Sequence, residues 1–285
     1  MDNLTKLEIP DARTAEQTPV EKQELLLDRL GGLDSLLVAF SGGADSAFLA
    51  WAAHAALSHR ALAVTALSPS FSTHDREQAE AFVRQVGLRH EFIETREMEN
   101  SLYAANSPDR CYHCKAELFT ELDNMAAARR FAAVAYGVNA DDTRDFRPGH
   151  RAAAEHKVLA PLLDAGLNKV EIRELSRRAG LPTWDRPASA CLASRIPYGT
   201  PVTQENLSIV EQGEAILREL GFRQFRVRYH QELARIEVAP DELPRALNPD
   251  MARVLAERFK RLGFTYVTLD LEGYRQGSLN AALKK

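Results

Sequence analysis

The chemistry-bearing residues of this chain are one Gly-rich loop, three cysteines and a group of arginines beside the third cysteine. Ser41-Gly42-Gly43-Ala44-Asp45-Ser46 follows the apolar run Leu36-Leu37-Val38-Ala39-Phe40 and precedes Ala47-Phe48-Leu49-Ala50-Trp51-Ala52-Ala53. The first run has the length and type of a buried strand, and the second reads as a helix. A strand, a Gly-rich turn and a helix start together make an anion site. Glycines let the backbone approach an anion, and the N–H groups of the first helical turn point at it. The loop lacks the Gly-Lys-Ser/Thr ending and the lysine of a Walker A motif. An ordinary strand-to-helix turn is the bland alternative; two flanking serines and an aspartate favour the anion site. Cys111-Tyr112-His113-Cys114 reads as a redox pair, half a zinc site or part of an iron–sulfur site. Cys191 lies in Arg186-Pro187-Ala188-Ser189-Ala190-Cys191-Leu192-Ala193-Ser194-Arg195-Ile196-Pro197-Tyr198-Gly199, inside a proline-rich loop of the kind where functional residues concentrate.

Elements of two kinds must position these groups. Apolar strands are expected at 36–40, 61–67, 91–94 and 132–138, with a fifth at 157–161, alternating with helices at 21–30, 75–86 and 111–129 and a capped helix from Asn168 with Glu171 to Gly180. That alternation predicts an α/β fold: a parallel twisted sheet with helices on both faces and its ligand site at the carboxyl ends of the strands. After a loop over 181–202 the pattern changes. Residues 203–220 form an amphipathic helix, 222–229 and 233–238 alternate as strands, and helices near 241 and at 249–262 precede a strand at 264–269. Residues 201–285 are therefore expected as a small C-terminal α+β domain, 21–200 as the main domain and 1–20 as a mobile arm.

The totals set limits. The chain has 285 residues, 45% hydrophobic and 27% charged, as in a soluble globular protein. A net charge of -4 argues against nucleic acid as a partner. No run reaches the roughly 18 apolar residues of a membrane span, and the polar stretch 1–23 lacks a signal-peptide core. A cytoplasmic protein is expected. Three cysteines, an odd number, suit ligands or reactive thiols better than a disulfide scaffold. The eight histidines form no ligand-spaced cluster, and His113 is a zinc candidate only if the iron–sulfur reading fails.

The Ser-Gly-Gly-Ala-Asp-Ser loop resembles the PP-loop of ATP pyrophosphatases, which cleave ATP between the α and β phosphates. Together with Arg110-Cys111-Tyr112-His113-Cys114-Lys115, the Cys191-Leu192-Ala193-Ser194-Arg195-Ile196-Pro197-Tyr198-Gly199 segment and the tail Tyr266 to Ser278, it is similar to the LarE family. The resemblance runs from about residue 21 to 280. It implies an adenine nucleotide α-hydrolase-like fold and an ATP-dependent sulfur transferase of nickel-pincer cofactor synthesis for lactate racemase. It implies a pyridinium-3,5-dicarboxylic acid mononucleotide as substrate, ATP and Mg²⁺ as cofactors, and a homo-oligomer, of hexamer type. Adenylation turns a poor leaving group into AMP, which sulfur displaces. Two sulfur routes remain open: Cys191 gives up its own sulfur, or Cys111, Cys114 and Cys191 hold a [4Fe–4S] cluster whose unligated iron carries a sulfide.

The resemblance also assigns roles. Ser41, Gly42, Gly43, Asp45 and Ser46 are expected at the phosphates, Asp45 also at magnesium, and Ser68, Pro69 and Ser70 near the adenosine. In Gly137-Val138-Asn139-Ala140-Asp141-Asp142, residues Asn139, Asp141 and Asp142 are candidates for magnesium or substrate, with a helix cap as the alternative. Ser194 and Arg195 are placed to meet an anion beside Cys191, and Arg195 to favour its thiolate. Arg226 and Arg228 are candidates for a substrate phosphate or a solvated strand face, and Arg275 is the better phosphate candidate. Glu211 and Glu214 read as a wet helix surface or a metal site at a subunit contact. A PP-loop tRNA thiolase, an amide-forming synthetase and a non-catalytic nucleotide binder are the competing readings.

Overall fold

The computed structural model describes residues 17–144, 148–187 and 190–275. Helix α1 (Pro19–Gly31) opens on a capping box between Thr18 and Glu21, so helix begins inside the segment expected as an arm; residues 1–16 lie outside the described residues. Strands β1 (Leu36–Ala39), β2 (Ala61–Leu67), β3 (His90–Glu94) and β4 (Ala133–Tyr136) form one sheet, all parallel, in the order β3-β2-β1-β4. Helices α2 (Ala44–Leu57), α3 (Thr73–Val86), α4 (Ser101–Ala104), α5 (Arg110–Arg129), α6 (Pro148–Glu155), α7 (Pro161–Asp164) and α8 (Lys169–Arg178) accompany it.

Residues of β1 alternate between two cores. Leu36 and Val38 join α1, α2, α3 and α8 through Leu30, Phe48, Phe82 and Ile172. Leu37 and Ala39 join α5 and α6 through Phe119, Leu122 and Ala152. A strand covered on both faces must be apolar at every position, and this one is. The expected fifth strand is absent: among the described residues, segment 157–161 makes a single parallel bridge, Leu159 to Ala135, before Pro161 starts α7.

Helix α9 (Gln204–Glu219) leads to β5 (Phe225–His230), β6 (Leu233–Val238), α10 (Leu243–Ala246), α11 (Pro249–Arg261) and β7 (Tyr266–Leu269). The strands β5, β6 and β7 lie in that order, antiparallel then parallel, over their own core with Leu217, Val227 and Phe259. A further cluster, Tyr103, Leu192, Ala193, Ile196, Val202, Leu207 and Val210, joins the Cys191 loop to α4 on one side and α9 on the other.

Gly137 sets the spacing at the carboxyl edge of the sheet. A Cβ there would stand 2.8 Å from both Cα and N of Ser46, so the chain leaving β4 lies directly on the first turn of α2. We expect Gly137→Ala to destabilise the fold by about 1–3 kcal/mol, as overpacking does, and to weaken ATP binding. Urea unfolding and nucleotide titration check this, and wild-type values for both would refute it.

Candidate functional site

The loop after β1 is built as an anion cradle. Gly42 has φ +75°, a conformation that glycine adopts without steric cost. Gly43 occupies the N-cap of α2 and provides no capping side chain, leaving the N–H groups of the first turn to another acceptor. Ser46 Oγ accepts from Ser41 N at 3.2 Å and donates to the Gly43 carbonyl at 3.1 Å, which holds the loop closed on itself.

The carboxylates beside the loop come from two elements. Asn139 Nδ2 donates to Asp45 Oδ2 at 3.0 Å, and both Asn139 and Asp142 are buried. Burial first, then the charge of Asp142, raises the Asp45 carboxyl above its ordinary range; Lys169 and Arg173 act in the opposite direction. Lys169 Nζ lies 2.9 Å from Asp142 Oδ1. A half-buried and a buried carboxylate that repel one another fit a hard divalent cation, which phosphate oxygens would help to ligate. Sequence reasoning missed Lys169 and Arg173, because neither lies near the loop in the chain. Beyond β2, a cleft of about 370 Å³ is lined by Leu67, Ser68, Pro69, Phe71, Arg76 and Thr95.

The Cys191 loop is fixed to this edge on both sides of the cysteine. Leu192 N donates to the Ser70 carbonyl at 2.9 Å, and Arg186 Nη1 donates to the Gly42 carbonyl at 2.5 Å. Asn106, fully buried, donates to the carbonyls of Pro197 at 2.8 Å and Thr200 at 2.7 Å, holding the turn that follows. Arg110 Nη1 donates to Asn106 Oδ1 at 2.6 Å and to the Ala193 carbonyl at 2.8 Å.

The three cysteines share one neighbourhood but differ in access. Cys111 and Cys191 are exposed, whereas Cys114 is half-buried against the Tyr103 cluster. Burial pushes the Cys114 thiol up to about 12; Lys115 opposes this, and Glu97, Cys191 and Cys111 add to it. Arg110 is 2% exposed and forms no ion pair with a carboxylate among the described residues. Burial opposes its charge, and the Cys191 and Cys111 thiols favour it. No three His, Cys, Asp or Glu side chains among the described residues already lie in a metal-holding arrangement. The donor set, three thiols beside an unpaired guanidinium, suits an iron–sulfur group in kind. His113 instead faces Asp109 at 3.5 Å.

Several expectations about the arginines and glutamates need correction. Arg195 is 2% exposed and forms a two-pronged pair with Glu214, at 2.8 Å and 3.0 Å. Its Nη1 donates to the carbonyls of Ala190 and Cys191 and to Ser194 Oγ. It holds the Cys191 backbone rather than facing an anion beside the thiol. Glu214 is not on a wet surface, being 6% exposed, and Glu211 accepts from Thr73 N at 2.6 Å at the start of α3. Arg226 and Arg228 are not a solvated face either, at 9% and 6% exposed. Arg228 pairs with Glu237 at 2.9 Å and 2.8 Å and donates to the Ser194 carbonyl at 2.9 Å. Arg226 stacks over the Tyr274 ring at 5.0 Å. The small unit packs its strand against the cysteine loop, which buries residues that alternation alone assigns to water. Arg275 is exposed and pairs with Glu272 at 2.5 Å; the tail residues 276–278 lie outside the described residues.

The Arg195–Glu214 pair makes a stability prediction. The paired guanidinium outweighs burial and holds the Glu214 carboxyl below its ordinary value. A depressed folded value means that the stabilisation is complete above the unfolded glutamate value of about 4.3 and is lost as pH falls through the lower folded one. Arg195→Met strands a buried carboxylate, so we expect a loss of about 3–5 kcal/mol at pH 7. The deficit should narrow at pH 4, as urea unfolding at both pH values would show. Thiol access makes a second. Iodoacetamide at pH 8 should modify Cys111 and Cys191 well before Cys114 in the native protein, and all three alike in denaturant, as peptide mass mapping would show.

Comparison with known proteins agrees with this geometry. The NAD synthase family model matches residues 27–142, which span the loop and the Asn139–Asp142 segment. An uncharacterized protein of Synechocystis sp. is 45% identical, over 93% of this chain and 98% of its own length. An uncharacterized protein of Methanocaldococcus jannaschii is 28% identical over 84% and 90%. The pyridinium-3,5-bisthiocarboxylic acid mononucleotide synthase of Lactiplantibacillus plantarum is 35% identical over 94% of this chain and 97% of that enzyme. With a PP-loop sheet, a cysteine loop over its edge and that identity along nearly its whole length, the chain belongs to the LarE family.

Proposed function

We propose that this protein is an ATP-dependent sulfur transferase acting on a pyridinium-3,5-dicarboxylic acid mononucleotide in nickel-pincer cofactor synthesis. The observation that carries the reading is the fastening of the Cys191 loop to Ser70 on one side and Gly42 on the other. An acyl group activated at the nucleotide edge and a sulfur on that loop would then meet without a large motion.

In this reading the substrate carboxylate oxygen attacks the α-phosphorus of ATP. The bond to the bridging oxygen breaks, and the electron pair leaves with pyrophosphate. Ser41, Gly42, Gly43 and Ser46 cradle the departing phosphates, Asp45 and Asp142 would hold Mg²⁺, and Lys169 pairs with Asp142. The nucleoside lies in the cleft beside Ser68. Arg226 and Arg228 hold the substrate phosphate from the small unit, and residues 201–285 act as the substrate-positioning domain. Sulfur then attacks the acyl carbon and AMP departs, leaving a thiocarboxylate.

Cys111, Cys114 and Cys191 are the residues that would hold a [4Fe–4S] cluster, which when bound would supply a sulfide as nucleophile. Arg110 offsets the negative charge of three thiolates, and the Tyr103 cluster keeps water from one side of Cys114. In the alternative, the exposed Cys191 thiolate attacks the acyl carbon and forms a thioester as AMP departs; a base then takes the Cys191 Cα proton, the Cβ–Sγ bond breaks with its electron pair on sulfur, and dehydroalanine remains beside the thiocarboxylate.

The experiment is an anaerobic preparation assayed with ATP, Mg²⁺ and the dicarboxylate mononucleotide. Expected results are pyrophosphate and AMP release, thiocarboxylate formation, and about four irons per chain. Cys191→Ala should abolish the thiocarboxylate while pyrophosphate release persists. Loss of iron together with sulfur transfer in Cys111→Ala supports the cluster route; full activity in that variant supports Cys191 alone. No pyrophosphate release with any carboxylate substrate would overturn the proposal.

A further inference from the structure

A pyrophosphate leaving group carries several negative charges, and Ser41–Ser46 contains no basic residue. Walker A loops meet this demand with their own lysine. Here the cation next to the loop comes from the cysteine segment. Arg186 Nη1 donates to the Gly42 carbonyl at 2.5 Å, and Nη2 to Gln78 Oε1 of α3 at 2.7 Å. A Cβ built on Gly42 would stand 3.6 Å from Arg186 Nη1, so the guanidinium lies against the turn itself. Among the described residues no carboxylate forms an ion pair with Arg186, and the Gly42 carbonyl and Gln78 Oε1 are both neutral oxygens. Burial opposes the charge of this half-buried guanidinium and the Asp75 carboxylate favours it, but its hydrogen-bond acceptors among the described residues are neutral, so an anion would be a stronger partner. Exchanging a carbonyl for a phosphate oxygen gives a charge-assisted bond about twice as strong.

The backbone at Arg186 is fixed from behind. Arg173 of α8 donates to the carbonyls of Trp184 at 2.8 Å and Arg186 at 2.5 Å. The residue that touches the loop is therefore held at its main chain, five positions before Cys191, and free to turn only at its side chain.

We propose that Arg186 is the cation that receives the pyrophosphate leaving group. The inference rests on the adenylation reading. As the bond from the α-phosphorus to the bridging oxygen breaks, the electron pair passes to pyrophosphate, and the guanidinium neutralises the oxygen that receives it.

The test is calorimetric binding of inorganic pyrophosphate with Mg²⁺ to the wild-type protein, Arg186→Gln and Arg186→Lys, each first checked by thermal melting. One charge-assisted contact predicts about a tenfold or greater loss of affinity in Arg186→Gln. Arg186→Lys should recover part of it, and serves alone if the glutamine variant does not fold. Wild-type pyrophosphate affinity in Arg186→Gln would overturn the inference. If instead the wild type binds pyrophosphate and releases none from any carboxylate substrate, the adenylation reading fails while the binding role of Arg186 stands.

Discussion

A buried charge must be neutralised where it stands, and in this protein that constraint falls on Arg195. Its guanidinium is almost out of water, and Glu214 of α9 is the carboxylate that meets it. The remaining N–H groups turn to the carbonyls of Ala190 and Cys191. One side chain thereby binds the cysteine backbone to a helix of the small unit. Removing either partner would leave an ion in a low-dielectric interior, a far larger penalty than the loss of a surface pair. The position of the thiol follows from that penalty rather than from the flexibility its proline-rich sequence suggests.

The charges around the nucleotide edge are arranged by the same rule. The PP-loop offers backbone N–H groups and no cation. Positive charge arrives from elements distant in the chain: Lys169 and Arg173 at α8 and Arg186 in the segment after it. Negative charge is gathered in Asp45 and Asp142, close enough that one raises the other. The thiol region has the opposite balance: Arg110, which pairs with no carboxylate among the described residues, lies beside Cys111 and Cys191. Two sites of different polarity therefore stand side by side, a carboxylate pair at the Gly-rich loop and a guanidinium at the thiols.

Much of this was legible in the chain. Leu36 to Ala39 had to be a two-faced strand, because no polar residue interrupts it. Ser41 to Ser46 read as a Gly-rich turn from strand to helix, which Gly42 and the N-cap Gly43 form, and the Asn168–Glu171 capping box marked the start of α8. The errors have physical causes. Segment 157–161 is apolar enough for a strand, but Pro161 and its short length limit it to one bridge. Arg226 and Arg228 alternate as a wet face would, and are buried because a second layer, the Cys191 loop, covers that face. Glu211 and Glu214 sit on the same side of α9 for a similar reason: they reach Thr73 and Arg195 of the larger unit.

Local sequence determined most of the elements, the Gly-rich loop and which residues carry thiols, since strand covering, helix capping and thiol chemistry depend on residue type and short spacing. It also carried the family, through motifs that keep their order along the chain. Tertiary structure alone decided which charges meet. Arg186 lies 144 positions from Gly42 and Arg195 lies 19 from Glu214. No periodicity relates residues so far apart, because their pairing is set by how layers pack and by the cost of leaving an ion buried alone.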